Sequence, residues 1–276
     1  MLETAVVATS KKVRKEIMNT VPVNGINLAY AHHGEGEPVV LIHGFPLDHS
    51  IWEEVVGYLQ DNCQLIVPDL RGFGHSSSPA SSYSLEDMAS DIAGLLDHLG
   101  LEKARLVGHS MGGYIALAFA RLYPNRVAGL VLVASQPQGD SPEQKKGRYE
   151  TAGRVAEEGV NVVLEQMLAK LSADKGIQAS ISKIITSQDP LGVAGALRAM
   201  AERSDSSPVL SGARFPILIL HGDNDQLIPI QRAHSMKELS NKADLIVLEG
   251  VGHMPMMEVP GDLAKELERF IFPEAE

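Results

Sequence analysis

Six short runs of branched apolar residues recur along the chain: PVVLIHG, QLIVPD, ARLVGHS, LVLVAS, PILILHG and DLIVLEG. Continuous Val, Ile and Leu without strict alternation is the pattern of strands buried on both faces, and amphipathic helical segments separate most of the later runs. This dictates an α/β fold, with a mostly parallel central sheet flanked by helices. Two further strands are expected upstream, near residues 20–23 and 27–32. In such a sheet the ligand crevice lies beyond the carboxyl ends of the strands. The polar punctuation falls there: His43-Gly44-Phe45-Pro46, Asp69, Ser110, Asp223 with Asp225, and His253 each follow a predicted strand.

One stretch breaks the alternation. Residues 136–207 read as several helices with no strand, opening on QPQGDSP and closing on RSDSSP, both turn signals. The predicted organisation is a core of residues 1–135 and 208–276, including an arm at 1–17, with an inserted helical cap at 136–207. Within the cap, Met167, Leu168, Leu171, Ile181, Ile184, Ile185, Leu191 and Met200 have helical spacing and are expected mostly to pack it against the core.

Composition narrows the function classes. A chain of 276 residues with 44% hydrophobic residues can bury a large core. A formal net charge of -11 argues against nucleic acid or an anionic membrane as partner, because phosphate binding draws on clustered Lys and Arg. A small neutral substrate fits better. The single cysteine, Cys63, excludes an intrachain disulfide, and cytoplasm is the expected compartment. The first seventeen residues place their apolar stretch before the basic cluster, the reverse of a secretory signal, and are expected to form a loose arm or short helix. No apolar run reaches the roughly 18 residues that a membrane span needs. The sequence leaves the oligomeric state open.

The chemistry concentrates at GHSMG, residues 108–112, a G-x-S-x-G pattern with a strand-like run before it and a helix-like run after it. A strand passing into a helix with almost no loop must turn sharply, which the flanking glycines permit, and Ser110 projects from the tip. A serine hydroxyl needs a base in hydrogen-bond reach and a third group to orient that base. Two later strand ends offer both. HGDNDQLIP carries Asp223 and Asp225, between which spacing does not decide, and GVGHMPMMEVP carries His253. An oxyanion hole needs two backbone amides, and those of Met111 at the helix start and Phe45 in HGFP are the candidates. His43, His109 and His221 flank these motifs, but the order of the parts disfavours them in proton transfer. No HExxH or cysteine set supports a metal, and no GxGxxG supports a dinucleotide. No cofactor is expected.

In this order HGFPLDHSIW, DLRGFGHSS, LVGHSMGG, HGDNDQLIP and GVGHMPMMEVP resemble the motifs of the α/β-hydrolases, and span almost the whole chain outside the cap and the arm. They are most similar to the bacterial carboxylesterases and aryl esterases related to the cofactor-free haloperoxidases. That branch often has Trp after HG where this chain has Phe45, a departure that bears on perhydrolase side activity more than on ester hydrolysis. Serine at position 110 sets the chain apart from the haloalkane dehalogenases, which carry Asp there. The resemblance implies that Asp225, four residues before Pro229, is the orienting acid, and that Asp69, Arg71 and Gly72 build a loop rather than touch substrate. It also implies hydrolysis of small to medium carboxylic esters through an acyl-enzyme on Ser110. Lactone opening or C–C cleavage on the same residues is the alternative, as is a weakly catalytic ligand receptor.

Overall fold

The computed structural model describes residues 17–79 and 81–273, so the arm expected at 1–17 lies, except for Ile17, outside the described residues. Among the described residues eight strands form one sheet: β1 (Met18–Val23), β2 (Ile26–His33), β3 (Glu37–Ile42), β4 (Cys63–Pro68), β5 (Ala104–His109), β6 (Val127–Val133), β7 (Ile217–Gly222) and β8 (Ala243–Leu248). Their order is β1-β2-β4-β3-β5-β6-β7-β8. β1 and β2 pair antiparallel, β2 runs antiparallel to β4, and the remaining pairs are parallel. The β1/β2 hairpin turns at Asn24 and Gly25, whose φ values of 44° and 79° suit the two-residue turn that Asn-Gly favours.

The helices are α1 (Glu53–Leu59), α2 (Leu85–His98), α3 (Met111–Leu122), α4 (Pro142–Glu158), α5 (Asn161–Leu171), α6 (Lys175–Thr186), α7 (Pro190–Ala201), α8 (Ser207–Ser211), α9 (Gln231–Leu239), α10 (Pro255–Glu258) and α11 (Pro260–Ile271). Neighbouring residues along a strand serve opposite layers. Val40, Ile42 and Leu106 join the core formed with α2 and α3, whereas Val39, Leu41 and Val107 join the one formed with α1 and α11. Burial on both faces is why these strands read as unbroken apolar runs. Full burial of such side chains contributes roughly 1.5–3 kcal/mol each relative to exposure.

This topology fixes where the loops meet. From β3 the chain runs through α1 to β4 on one side, while from β5 it runs through α3 to β6 on the other. The gap between the carboxyl ends of β3 and β5 is therefore a switch point, where the loops diverge to opposite sides of the sheet. Phe45 and Ser110 stand on those two loops.

Between β6 and β7 the described residues form α4 to α7 and then α8, with no strand. Capping explains how the run starts: Ser141 and Gln144 form a reciprocal capping box on α4, and Asp174 and Asp189 cap α6 and α7. Leu171, Ile181, Ile185 and Met200 are buried, as helical spacing predicts. Leu191 is the exception, 68% exposed in the first turn of α7. Its neighbour Gly192 takes the close contact instead, packing on Gly72 of the loop after β4. The Tyr83 hydroxyl donates to the Gly192 carbonyl at 2.8 Å, and the Gln188 side chain accepts from the Gly74 amide at 2.9 Å. At the other end the Asp140 carboxylate is buried between Arg203, at 2.6 Å, and Arg148. The Arg203 guanidinium lies 4.3 Å from the centre of the Tyr114 ring on α3.

Candidate active site

Ser110 stands between β5 and α3 with φ 51° and ψ -112°, a conformation that L-residues rarely adopt and that the surrounding packing must enforce. The strain of the turn thus falls on the serine. Neither Gly108 nor Gly112 has a positive φ; both are needed for proximity. A Cβ on Gly108 would run into the Gly112 carbonyl, and one on Gly112 into that of Ile42, so strand, helix and the neighbouring strand close up only around glycine. Ser110 is further pinned by its amide on the Val133 carbonyl at 2.9 Å and by Ser135 Oγ, which donates to its carbonyl at 2.9 Å.

The loop after β7 places Asp223 and Asp225 differently. Asp225 is buried; its Oδ1 accepts from the amides of Leu227 and Ile228 at 2.8 and 2.9 Å, and its Oδ2 lies 2.7 Å from His253 Nδ1. Burial alone would push its carboxyl up, but the hydrogen bond and charge of His253, with the two amides, hold it below the usual carboxylate range. Asp223 is exposed and accepts from the Gly250 amide at 2.7 Å, tying the loop after β7 to that after β8. His253 itself is buried, and the amides on either side of it, of Gly252 and Met254, bond the Glu258 carboxylate at 2.8 and 3.2 Å.

The two amides singled out for an oxyanion are differently supplied. Phe45 lies in a loop, and among the described residues its amide donates no hydrogen bond. Met111 is the first residue of α3, a position whose amide has no intrahelical acceptor and where the helix dipole favours negative charge.

The three flanking histidines are all fully buried at strand ends. His43 Nε2 accepts from the Leu70 amide at 3.0 Å, His109 Nε2 donates to the His253 carbonyl at 2.8 Å, and His221 Nε2 donates to that of Ile228 at 2.8 Å. Burial lowers the pKa of each, for His109 to about 3. They are struts between loops, a role with no sequence signature, because a histidine inside an apolar run looks the same whatever its ring contacts. The Asp69 loop is a latch of similar kind. Its carboxylate accepts from the amides of His49 and His75 at 2.9 and 2.8 Å, with their Nδ1 atoms at 2.6 and 3.2 Å. These three side chains could supply metal ligands, their donor atoms lying within 4.8 Å of one another, but the hydrogen bonds already occupy the carboxylate. Arg71 forms a two-pronged, buried pair with Asp91 at 2.6 Å on each prong.

Fold and site together define a class: a parallel sheet whose carboxyl edge gathers polar loops around a strained strand-to-helix elbow. The chain belongs to the alpha/beta hydrolase fold family, which residues 37–260 match. Among solved structures it is similar to a thermophilic esterase from Thermogutta terrifontis, with 38% identity, a TM-score of 0.88, and coverage of 94% of this chain and 98% of that one. It is also similar to the enol-lactonase from Burkholderia xenovorans LB400, with 25% identity, a TM-score of 0.85, and coverage of 92% and 99%. By sequence it is 33% identical over 246 residues to the dihydrolipoyllysine-residue acetyltransferase component of the acetoin cleaving system of Pseudomonas putida. That match covers 86% of this chain and 64% of the longer protein. Among the described residues no helix is long and apolar enough to cross a membrane.

Proposed function

We propose that the protein is a cofactor-free carboxylesterase working through a Ser110-His253-Asp225 triad and an acyl-enzyme. The observation that carries the reading is the buried Asp225–His253 pair on loops adjoining a serine held at a strained elbow. In the first half-reaction Ser110 Oγ attacks the ester carbonyl carbon while His253 Nε2 takes its proton, and Asp225 stabilises the imidazolium that forms. The negative oxygen is received by the amides of Phe45 and Met111. Removing one such donor typically costs about 3 kcal/mol of transition-state stabilisation. The tetrahedral intermediate collapses, the C–O bond breaks, and the alcohol leaves with the proton from His253. Water, deprotonated by His253, then attacks the acyl carbon, and the acid departs as Ser110 recovers its proton.

The helices from α4 to α7 act in this reading as a cap at 136–207 over a core of 1–135 and 208–276. Such a lid narrows the entrance, so small to medium acyl groups are the expected substrates. The similarity to an enol-lactonase supports lactone opening as the second reading. A panel of p-nitrophenyl esters of increasing acyl length, run beside lactones, tests both. Turnover should peak at short to medium chains, and Ser110→Ala should lower kcat by about 10⁴ or more. An organophosphonate should add covalently at Ser110. Retained turnover in Ser110→Ala, or an adduct on another serine, would overturn the proposal, and long-chain emulsions cleaved faster than soluble esters would overturn the cap's role.

A further inference from the structure

The imidazole of His109 meets both the peptide of His253 and the backbone of Gly44, next to Phe45, without being one of the reacting groups. It is fully buried at the end of β5 and directly precedes Ser110. Its Nε2 lies 2.8 Å from the carbonyl oxygen of His253, with the two ring centroids 4.9 Å apart. A carbonyl only accepts, so Nε2 carries the proton and Nδ1 is a bare lone pair. Nδ1 has no hydrogen-bond partner among the described residues. It faces the backbone of Gly44, where a Cβ would fall 2.5 Å from it, and Gly44 adjoins Phe45. A second proton at Nδ1 would be buried against that backbone without an acceptor, which is costly. Burial first, and the nearby His253 second, push the His109 pKa down to about 3.

The other ties on the His253 loop do not do this work. The Gly252 and Met254 amides bond Glu258, which belongs to the helix that immediately follows, and the Val251 carbonyl accepts from the Asn224 amide at 3.0 Å, a tie to the acid loop. The His109 bond instead runs from the base's own peptide to the strand that carries the nucleophile.

We propose that His109 is a positioning residue: its Nε2–H, on the His253 carbonyl, sets the separation at which the base meets Ser110, while its ring props the Gly44–Phe45 turn. This rests on reading Ser110, Asp225 and His253 as the triad. The chemistry then depends on a neutral donor at that point and not on ring volume alone. Phe at 109 keeps a ring and loses the donor; Gln loses the ring and keeps a neutral N–H donor near the ε position.

The test compares His109→Phe and His109→Gln with the wild type in kcat, KM and the second-order rate of Ser110 phosphonylation. Misplacement of a reacting group by about 1 Å costs up to 10²-fold. The expected result for His109→Phe is a fall of about 10- to 100-fold in kcat and in phosphonylation rate together, with KM changed less than about threefold. His109→Gln should recover most of that loss, which a purely structural role would not produce. Equal impairment in the two variants, or wild-type phosphonylation in folded His109→Phe, would overturn the proposal. Should His109→Phe fail to fold, ¹⁵N NMR of the wild-type imidazoles decides, with His109 assigned by its absence in His109→Gln. A neutral Nε2–H ring from pH 5 to 8 is expected, and an Nδ1–H tautomer or an imidazolium would overturn it. Failure of the triad reading appears separately, as wild-type protein that a phosphonate does not label at Ser110.

Discussion

Asp225 Oδ2 lies 2.7 Å from His253 Nδ1, while Asp223, two positions earlier on the same loop, spends its carboxylate on the Gly250 amide. Two acids leaving one strand thus have different work. An orienting acid stabilises the imidazolium formed during attack, so Asp225→Asn should lower kcat by roughly 10² or more with little change in KM. Asp223→Asn should cost less than about tenfold, mainly through stability. Steady-state kinetics on a short p-nitrophenyl ester checks the pair, and the reverse ranking would hand the role to Asp223.

Spacing in the sequence could not make that choice, because two residues of an irregular turn point wherever local hydrogen bonds send them. In the structure the amides of Leu227 and Ile228 fold the loop back over Oδ1 of Asp225, and it is this carboxylate that lies against His253. The sheet was far more legible. Strands buried on both faces carry runs of consecutive apolar residues at their centres, so β3 to β7 stand out without any alignment. β8 was legible for a different reason: several of its residues are only half-buried, but its apolar run is still unbroken. Elsewhere contact with a distant element overrides the local pattern. Leu191 keeps helical spacing yet faces solvent because Gly192 beside it is pressed onto Gly72, a contact between residues 120 positions apart by their numbering.

A second prediction concerns the proposed triad as a unit. If Ser110 and His253 act in one step, removing the second after the first removes nothing more. His253→Ala and Ser110→Ala should therefore be about equally inactive, and the double variant should match either one. Rates for the three variants on one ester, measured with enough enzyme to see residual turnover, test this. A double variant slower by the product of the two losses would mean independent roles.

The Gly72–Gly192 contact gives a third. A methyl on Gly192 would overlap the Gly72 carbonyl oxygen, backbone against backbone, so neither side can rotate away. Overpacking of this kind typically costs 1–3 kcal/mol. Gly192→Ala should lose about that much stability in urea denaturation, despite alanine's better helix propensity. The exposed neighbour gives the contrast: Leu191→Ala should stay within about 0.5 kcal/mol of wild type. Equal effects at the two positions would show that α7 does not bear on the loop after β4.

The fourth prediction follows from the buried histidines. Burial lowers the folded-state pKa of His43, His109 and His221, while in the unfolded chain each returns to about 6.5. As pH drops below that value the unfolded state binds more protons than the folded one, so stability falls. The contribution is fully present above the unfolded pKa and is lost progressively towards the folded one, which for His109 is about 3. Between neutral pH and pH 5 that amounts to about 2 kcal/mol for His109 alone. Asp225 and Asp69, whose folded pKa values are also lowered, add a further loss at lower pH, below the usual carboxylate range. Urea denaturation of wild type and His109→Gln at pH 7.5 and 5.0 isolates the histidine share. Glutamine does not titrate, so the variant should lose about 2 kcal/mol less than wild type between the two conditions, whatever its stability at pH 7.5. Parallel losses in the two proteins would mean that the His109 ring takes up its proton in the folded state as readily as in the unfolded chain, and that the site between Gly44 and His253 admits a charge.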